Sequence, residues 1–138
     1  MTNNIMINII VVSGVITLLV SKLEEETVSL MVLGVTGLIA ITGTNSLIIL
    51  YLALELVGLT FYILASRERK GAKSTEAGIK YFILGALSSG VLLLGMSLAY
   101  ATTGTTSLEI ITGATETLPS TLIKLGLLFK VGATPFHM

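Results

Sequence analysis

The chain contains no cysteine and no tryptophan, and its 138 residues include only one histidine and two prolines. The lack of cysteine excludes a disulfide framework and leaves no thiolate ligand for a metal or an iron–sulfur cluster. Charged residues are also scarce at 12%, whereas a soluble globular domain has about a quarter. The formal net charge is zero and no basic stripe occurs, so nothing indicates nucleic-acid binding. Together these shortages argue against a soluble protein.

Apolar sequence is abundant instead. Hydrophobic residues make up 53% of the chain, and the mean hydropathy is +0.95. Five mostly apolar stretches approach the roughly 17 to 25 residues that a spanning helix needs. We therefore predict an all-α membrane protein with a single membrane domain over residues 1–138. Its five transmembrane helices are expected at approximately residues 4–21, 27–43, 46–65, 76–100 and 118–138.

The distribution of basic residues predicts the orientation of these helices. No Lys or Arg precedes Lys22, so the first stretch lacks the basic start of a secretory signal peptide and is interpreted as a span. The loop basic residues all lie in the first and third loops: Lys22, Arg67, Arg69, Lys70 and Lys73. By the positive-inside rule, these loops, including the basic loop 66–75, face the cytosol or mitochondrial matrix. The N-terminus is then on the opposite side.

Small residues are dense in the fourth predicted span. They are Gly78, Gly85, Ser88, Ser89, Gly90 and Gly95. In lipid, small residues let helix backbones approach closely, because helix association there depends on packing. A general enrichment of glycine in membrane helices is the alternative explanation. The density favours a tightly packed interior helix.

Glu55 lies near the middle of the third predicted span, too deep for its short side chain to reach water. An ionised carboxylate at that depth must be protonated or matched by a cation on a neighbouring helix. Intramembrane carboxylates are functional by default. A protonated residue that serves only packing is the alternative.

Lys80 lies about one turn inside the fourth span, with Glu76 four residues before it on the same face. A Glu and Lys at that spacing form an ordinary helix-surface pair, worth a few tenths of a kcal/mol. Lys80 is therefore either such a surface residue or part of an intramembrane site. Lys124, near the start of the last span, is interpreted as interfacial.

Lys130 lies well inside the last span and is followed by Gly132 and Pro135. Proline at position 135 removes the helical partner of the Val131 carbonyl, so we predict a broken helix near Gly132–Pro135. The carbonyl end of a half-helix favours a cation, which makes Lys130 a candidate proton carrier. A lysine that anchors a helix end at the interface is the alternative.

His137 follows the predicted break and is the only histidine. An imidazole that titrates near neutral pH can pass protons between waters in a cavity. A loop histidine bonded to backbone groups is the equally weighted alternative.

Three segments, in this order, carry a resemblance to a known family: LALELVGLTFYILAS (52–66), STEAGIKYFILGALSSGVLLLG (74–95) and GLLFKVGATPFHM (126–138). They resemble subunit 2 of mitochondrial respiratory complex I, the NADH:ubiquinone oxidoreductase. That family of antiporter-like membrane subunits is related to multisubunit cation/proton antiporters. The similarity is strong over residues 47–138, and the first two helices match only by pattern.

The resemblance implies roles by position. Glu55 matches the carboxylate of the family's fifth helix, Lys80 the lysine of its sixth, and Lys130 the central lysine of its broken seventh. It implies that Glu55 and Lys130 form a pair whose separation tunes the proton affinity of the lysine. His137 and water would link the lysines along a hydrophilic axis. These four residues are thus the expected proton-translocating site.

The resemblance also implies the setting. The chain is expected to be a core membrane-arm subunit of complex I, in the mitochondrial inner membrane with its N-terminus toward the intermembrane space. It would carry no cofactor and no redox step, with FMN and iron–sulfur clusters in other subunits. Expected partners are the other membrane-arm subunits and membrane lipids, with no nucleic acid. A component of a cation/proton antiporter, or a structural subunit that does not pump, remains open.

The resemblance further implies that these helices are the first half of an inverted repeat. Family members continue past the PFHM at 135–138 into a second five-helix repeat, and they begin two helices earlier. We expect a split gene or a truncated chain, with a separate polypeptide supplying the rest of the subunit.

Overall fold

The computed structural model describes residues 2–20, 24–66, 72–113 and 118–132. Within these residues the chain forms six α-helices. They are α1 (Thr2–Val20), α2 (Glu25–Gly43), α3 (Leu47–Ala65), α4 (Ala72–Thr103), α5 (Leu108–Gly113) and α6 (Leu118–Lys130). The predicted all-α membrane fold is confirmed, since α1 to α4 are each long and apolar enough to cross a bilayer.

The helix bounds differ from the predicted spans at three places. Helix α4 begins at Ala72, so the end of the predicted basic loop is helical. Helix α5 forms inside the Thr/Gly-rich segment 101–117, where a loop was expected. Helix α6 has 13 residues, about 20 Å at 1.5 Å per residue, which is shorter than the roughly 30 Å hydrocarbon layer.

Two helices end at a glycine in the left-handed conformation. Gly104 has φ +68°, and its amide donates to the Tyr100 carbonyl at 2.8 Å to close α4. Gly132 has φ +69°, and its amide donates to the Phe129 carbonyl at 3.0 Å just beyond α6. Glycine adopts this conformation without the steric cost that a Cβ brings. The predicted end of the last helix near Gly132 is therefore observed, while Pro135 lies outside the described residues.

The chain falls into two compact units. The first comprises residues 1–44 and 49–79. In it α1 packs on α2, and α2 packs on α3 through two glycines. A Cβ on Gly34 would lie 3.2 Å from Cγ2 of Thr60, and one on Gly37 would lie 3.2 Å from the Ala53 carbonyl oxygen. The backbones of α2 and α3 are close because these positions carry no side chain.

The second unit comprises residues 45–48 and 80–138. Its α4 and α6 pack antiparallel, since Gly95 contacts Ile123 while Leu92 contacts Gly126 further along α6. We call this contact the α4–α6 seam. Gly95 thus allows close packing in the fourth span, whereas a Cβ on Gly90 would meet nothing within 4 Å.

A short antiparallel bridge ties two loops in the second unit. The Leu47 amide donates to the Thr106 carbonyl at 2.8 Å, and the Leu108 amide donates to the Asn45 carbonyl at 3.0 Å. The residues before α3 and after α4 therefore lie at one end of this unit. The predicted topology gives the same arrangement. The loop between the second and third predicted spans and the loop between the fourth and fifth were expected on one side of the membrane.

Candidate functional site

Glu55 lies in the middle of α3 and is half-buried. The α3 residues that contact α2 include Ala53 and Val57. Glu55 is two residues from each of them, and a helix turns by about 100° per residue, so Glu55 lies about 160° around the helix from both. Its carboxylate is therefore on the face of α3 opposite α2.

Two tyrosines share that face with Glu55. Tyr51 is four residues before Glu55, and Gly58 and Tyr62 are three and seven residues after it, which places all four in one column. Tyr62 is 8% exposed, and its hydroxyl oxygen lies 3.1 Å from where a Cβ on Gly58 would be. The ring therefore fills the space left by Gly58 and directs its hydroxyl toward the turn that carries Glu55.

The sequence analysis missed these tyrosines. The signal that could have found them is the 4-3-4 spacing of polar or small residues at 51, 55, 58 and 62 in a mostly apolar helix. Each tyrosine hydroxyl can donate or accept a proton in a hydrogen bond. The column thus places the Tyr62 hydroxyl about one turn after Glu55, and the Tyr51 residue lies one turn before it.

Lys130 is the last residue of α6 and is half-buried. It follows Gly126 by four residues, so it lies only about 40° around the helix from this seam residue. Lys124 is two residues before Gly126, about 160° away, and is exposed. Lys130 therefore lies on the α4 side of α6, and Lys124 lies on the opposite side.

The α4–α6 seam fixes how far along α4 Lys130 sits. Leu92 is opposite Gly126, and the helices are antiparallel, so a step of four residues to Lys130 corresponds to a step back to Ser88. Ser88 is 1% exposed, and its hydroxyl donates to the Gly126 carbonyl at 3.0 Å. Lys130 is thus level with a buried, hydrogen-bonded serine.

Lys80 is on α4 and exposed, as is Glu76 one turn earlier. Lys80 precedes Ser88 by eight residues, which is about 12 Å along the helix axis. The second unit therefore does not place Lys80 level with Lys130. Glu55 belongs to the first unit, so its pairing with Lys130 stays a prediction. His137 lies outside the described residues.

The end of α6 provides an environment suited to a cation. The turn after Lys130 satisfies two of the last carbonyls, because the Val131 amide donates to Leu127 at 3.0 Å and the Gly132 amide donates to Phe129. The remaining carbonyl dipoles at a helix C-terminus favour positive charge. Lys130 therefore lies where its positive charge is favoured by the end of α6.

An apolar groove lies in the first unit, with a volume of about 210 Å³. Its walls come from α1, α2 and α3, and they include Ser13, Thr17 and Thr60. The hydroxyls of these three residues each donate to a carbonyl of their own helix. The groove is therefore suited to an apolar occupant and not to proton transfer.

Comparison with known sequences links these residues to one family. Residues 44–138 match the family described as "NADH:quinone oxidoreductase/Mrp antiporter, TM". A protein named NADH-quinone oxidoreductase subunit N, from Gemmatimonas aurantiaca, is 44% identical over 122 residues, covering 82% of this chain and 24% of that relative. NADH-quinone oxidoreductase subunit N 1 from Rhizobium meliloti is 46% identical over 117 residues, covering 79% and 24%.

Comparison with solved structures agrees with the sequence comparison. A chain from the structure titled respiratory complex I from Thermus thermophilus with bound aureothin matches with a TM-score of 0.84 at 28% identity. The match covers 98% of this chain and 32% of that chain. This chain thus spans about a quarter of the length of the curated relatives named above.

Proposed function

We propose, on the premise that this chain belongs to the NADH:quinone oxidoreductase/Mrp antiporter membrane family, that it is part of an antiporter-like subunit of respiratory complex I. In this proposal it contributes to proton translocation driven by NADH oxidation. The observation that carries the proposal is Lys130, half-buried at the carbonyl end of α6, a helix of 13 residues. The relatives named subunit N and the complex I chain support the choice of enzyme.

The proposed roles follow from the chemistry of each group. Lys130 takes up and releases a proton, and the helix end and nearby charges set when it does so. Glu55 is the counter-charge whose distance from Lys130 biases that equilibrium. Lys80 and His137 exchange protons with Lys130 through water. The chain performs no redox step in this proposal, and FMN and iron–sulfur clusters belong to other subunits.

The proposed partners are the other membrane-arm subunits and membrane lipids. The resemblance predicts mitochondrial subunit 2, whereas the two curated relatives named above are bacterial and named subunit N. We retain the mitochondrial inner membrane, with the N-terminus toward the intermembrane space, as the finer proposal. The bacterial cytoplasmic membrane is the alternative location. A separate polypeptide that supplies the rest of the subunit stays a prediction.

Single cysteines test the orientation, because the chain has none of its own. Asn45 and Lys73 are both exposed and lie at opposite ends of α3 in the chain. In intact mitochondria stripped of their outer membrane, or in spheroplasts, an impermeant maleimide should label Asn45→Cys and leave Lys73→Cys unlabelled. Inverted vesicles should give the reverse result. Labelling of Lys73→Cys from the outside would contradict the proposed orientation.

Purification of the tagged chain tests the assignment to complex I. A tag on the N-terminus should recover, in mild detergent, a large assembly that oxidises NADH and reduces quinone. On a native gel, the tag and the NADH-oxidising activity should migrate together. A tagged assembly without that activity would contradict the proposal.

An antiporter component is the second candidate, because the family description also names the Mrp antiporter. Vesicles containing that assembly would exchange sodium for protons in the absence of NADH. For complex I, we expect vesicle acidification that requires NADH and does not depend on sodium. The two assignments are therefore separated by one measurement on the same vesicles.

A further inference from the structure

One hydrogen bond in the second unit crosses between helices. The Ser88 hydroxyl donates to the carbonyl of Gly126, 38 residues away in sequence, at 3.0 Å. Serine and threonine within a helix usually donate to a carbonyl of their own helix three or four residues earlier. Thr36 and Thr102 do so here, bonding to Val32 and Leu98. Ser88 instead connects α4 to α6.

The accepting carbonyl is one turn before Lys130. In an α-helix the amide of residue 130 donates to the carbonyl of residue 126, so the carbonyl of Gly126 belongs to the turn that presents the lysine. A Cβ on Gly126 would lie 2.7 Å from the Leu92 Cβ, which shows how closely the helices approach here. Ser88 can reach this carbonyl because position 126 is glycine.

We infer that Ser88 is a positioning residue for Lys130, which holds the last turn of α6 against α4 by its hydrogen bond to Gly126. This inference rests on the proposed proton-transfer role of Lys130. The apolar contact between Leu92 and Gly126 resists separation of the helices but does not fix how the last turn of α6 is rotated against α4. A hydrogen bond does fix that rotation, because it is directional. After Lys130 the chain turns at Gly132 and no longer continues the helix. The last turn therefore depends on Ser88 for its orientation.

A labelling experiment tests the position without relying on activity. In the assembled complex, Lys130→Cys is the only cysteine of this chain and reports how accessible position 130 is to a small maleimide. Adding Ser88→Ala should raise the labelling rate about threefold, the effect of losing a typical interhelical hydrogen bond in a membrane. Ser97→Ala, an exposed serine on the same helix, should leave the rate unchanged. Equal rates in all three chains would overturn the inference.

A second measurement separates this inference from the proposed function. Ser88→Ala should shift the pH profile of NADH-driven vesicle acidification, and Ser88→Cys, of similar size with a weaker donor, should shift it less. In a Lys130→Met background, Ser88→Ala should add no further loss, because both changes act on one group. If Lys130→Met itself pumps normally, the proposed function fails, while the labelling rates still decide the role of Ser88. If Lys130→Met loses pumping but Ser88→Ala has the wild-type profile, the inference alone fails.

Discussion

Replacing Lys130 with Met is expected to lower NADH-driven acidification of vesicles about tenfold or more, since a positioned proton-transfer group typically contributes at least that much. Glu55→Gln should have a similar effect if Glu55 is the proposed counter-charge, because the substitution removes the charge and keeps the shape. Lys124→Met is the matched control: it is the other lysine of α6, exposed and on the opposite face from the α4–α6 seam. It should pump normally.

The double variant tests whether Glu55 and Lys130 act as a pair. If they do, Glu55→Gln with Lys130→Met should lose no more activity than the worse single variant. Independent residues would give losses that multiply. Each variant must first show normal assembly on a native gel, so that a loss of pumping is not a loss of the complex.

NADH-driven acidification of vesicles also distinguishes a pumping role from a purely structural role. A buried ion pair can often be replaced by apolar residues of similar volume with little loss of stability. If Glu55 and Lys130 form such a pair, Glu55→Leu with Lys130→Met makes that replacement. Assembly with normal acidification would support a structural subunit and contradict the proton-transfer role, whereas assembly without acidification would support it.

The fold could be predicted to the level of its spans. Runs of apolar residues fix α1 to α4, because their length and hydropathy are properties of each segment alone. The end of α6 was also predictable, since Gly132 and Pro135 disfavour a continuing helix. The local sequence was insufficient for α5, whose start is tied by the bond between the Leu108 amide and the Asn45 carbonyl. That bond joins residues 63 positions apart.

The site could be predicted only as a set of residues. A charge within an apolar run is visible in the sequence, so Glu55 and Lys130 could be named. The face on which each lies depends on how its helix rotates against a neighbour, and that rotation is set by packing at Gly37 and Gly126. Ser88 was noted only as a small residue, because its bond to Gly126 is a tertiary contact. The position of the Tyr62 hydroxyl was not predicted, because it depends on the space that Gly58 leaves by lacking a side chain.

Gly126→Ala is expected to prevent stable assembly of the complex. The new Cβ would lie 2.7 Å from the Cβ of Leu92 and 2.9 Å from its backbone nitrogen, both far inside van der Waals contact. Overpacking of this kind costs about 1–3 kcal/mol, and in this case relief requires α4 and α6 to move apart. Such a movement would also lengthen the 3.0 Å bond from Ser88.

Gly90→Ala provides the control for this substitution. Gly90 is on α4, and a Cβ there would meet nothing within 4 Å. Both variants gain the same helix propensity, about 1 kcal/mol, so they differ only in the clash. On a native gel we expect assembled complex from Gly90→Ala at the wild-type level and little or none from Gly126→Ala. Equal amounts of assembled complex from both variants would contradict the close packing of α4 and α6 at Gly126.

A second-site variant shows whether the clash is with backbone. The atoms of Leu92 nearest to the new methyl group are its nitrogen, Cα and Cβ, and Leu92→Ala retains all three. Leu92→Ala should therefore fail to restore assembly of Gly126→Ala and should add the cost of a cavity where Leu92, with 0% exposure, was packed. Restoration by Leu92→Ala would mean that the distal part of the leucine side chain, and not the close approach of the backbones, sets the distance between α4 and α6.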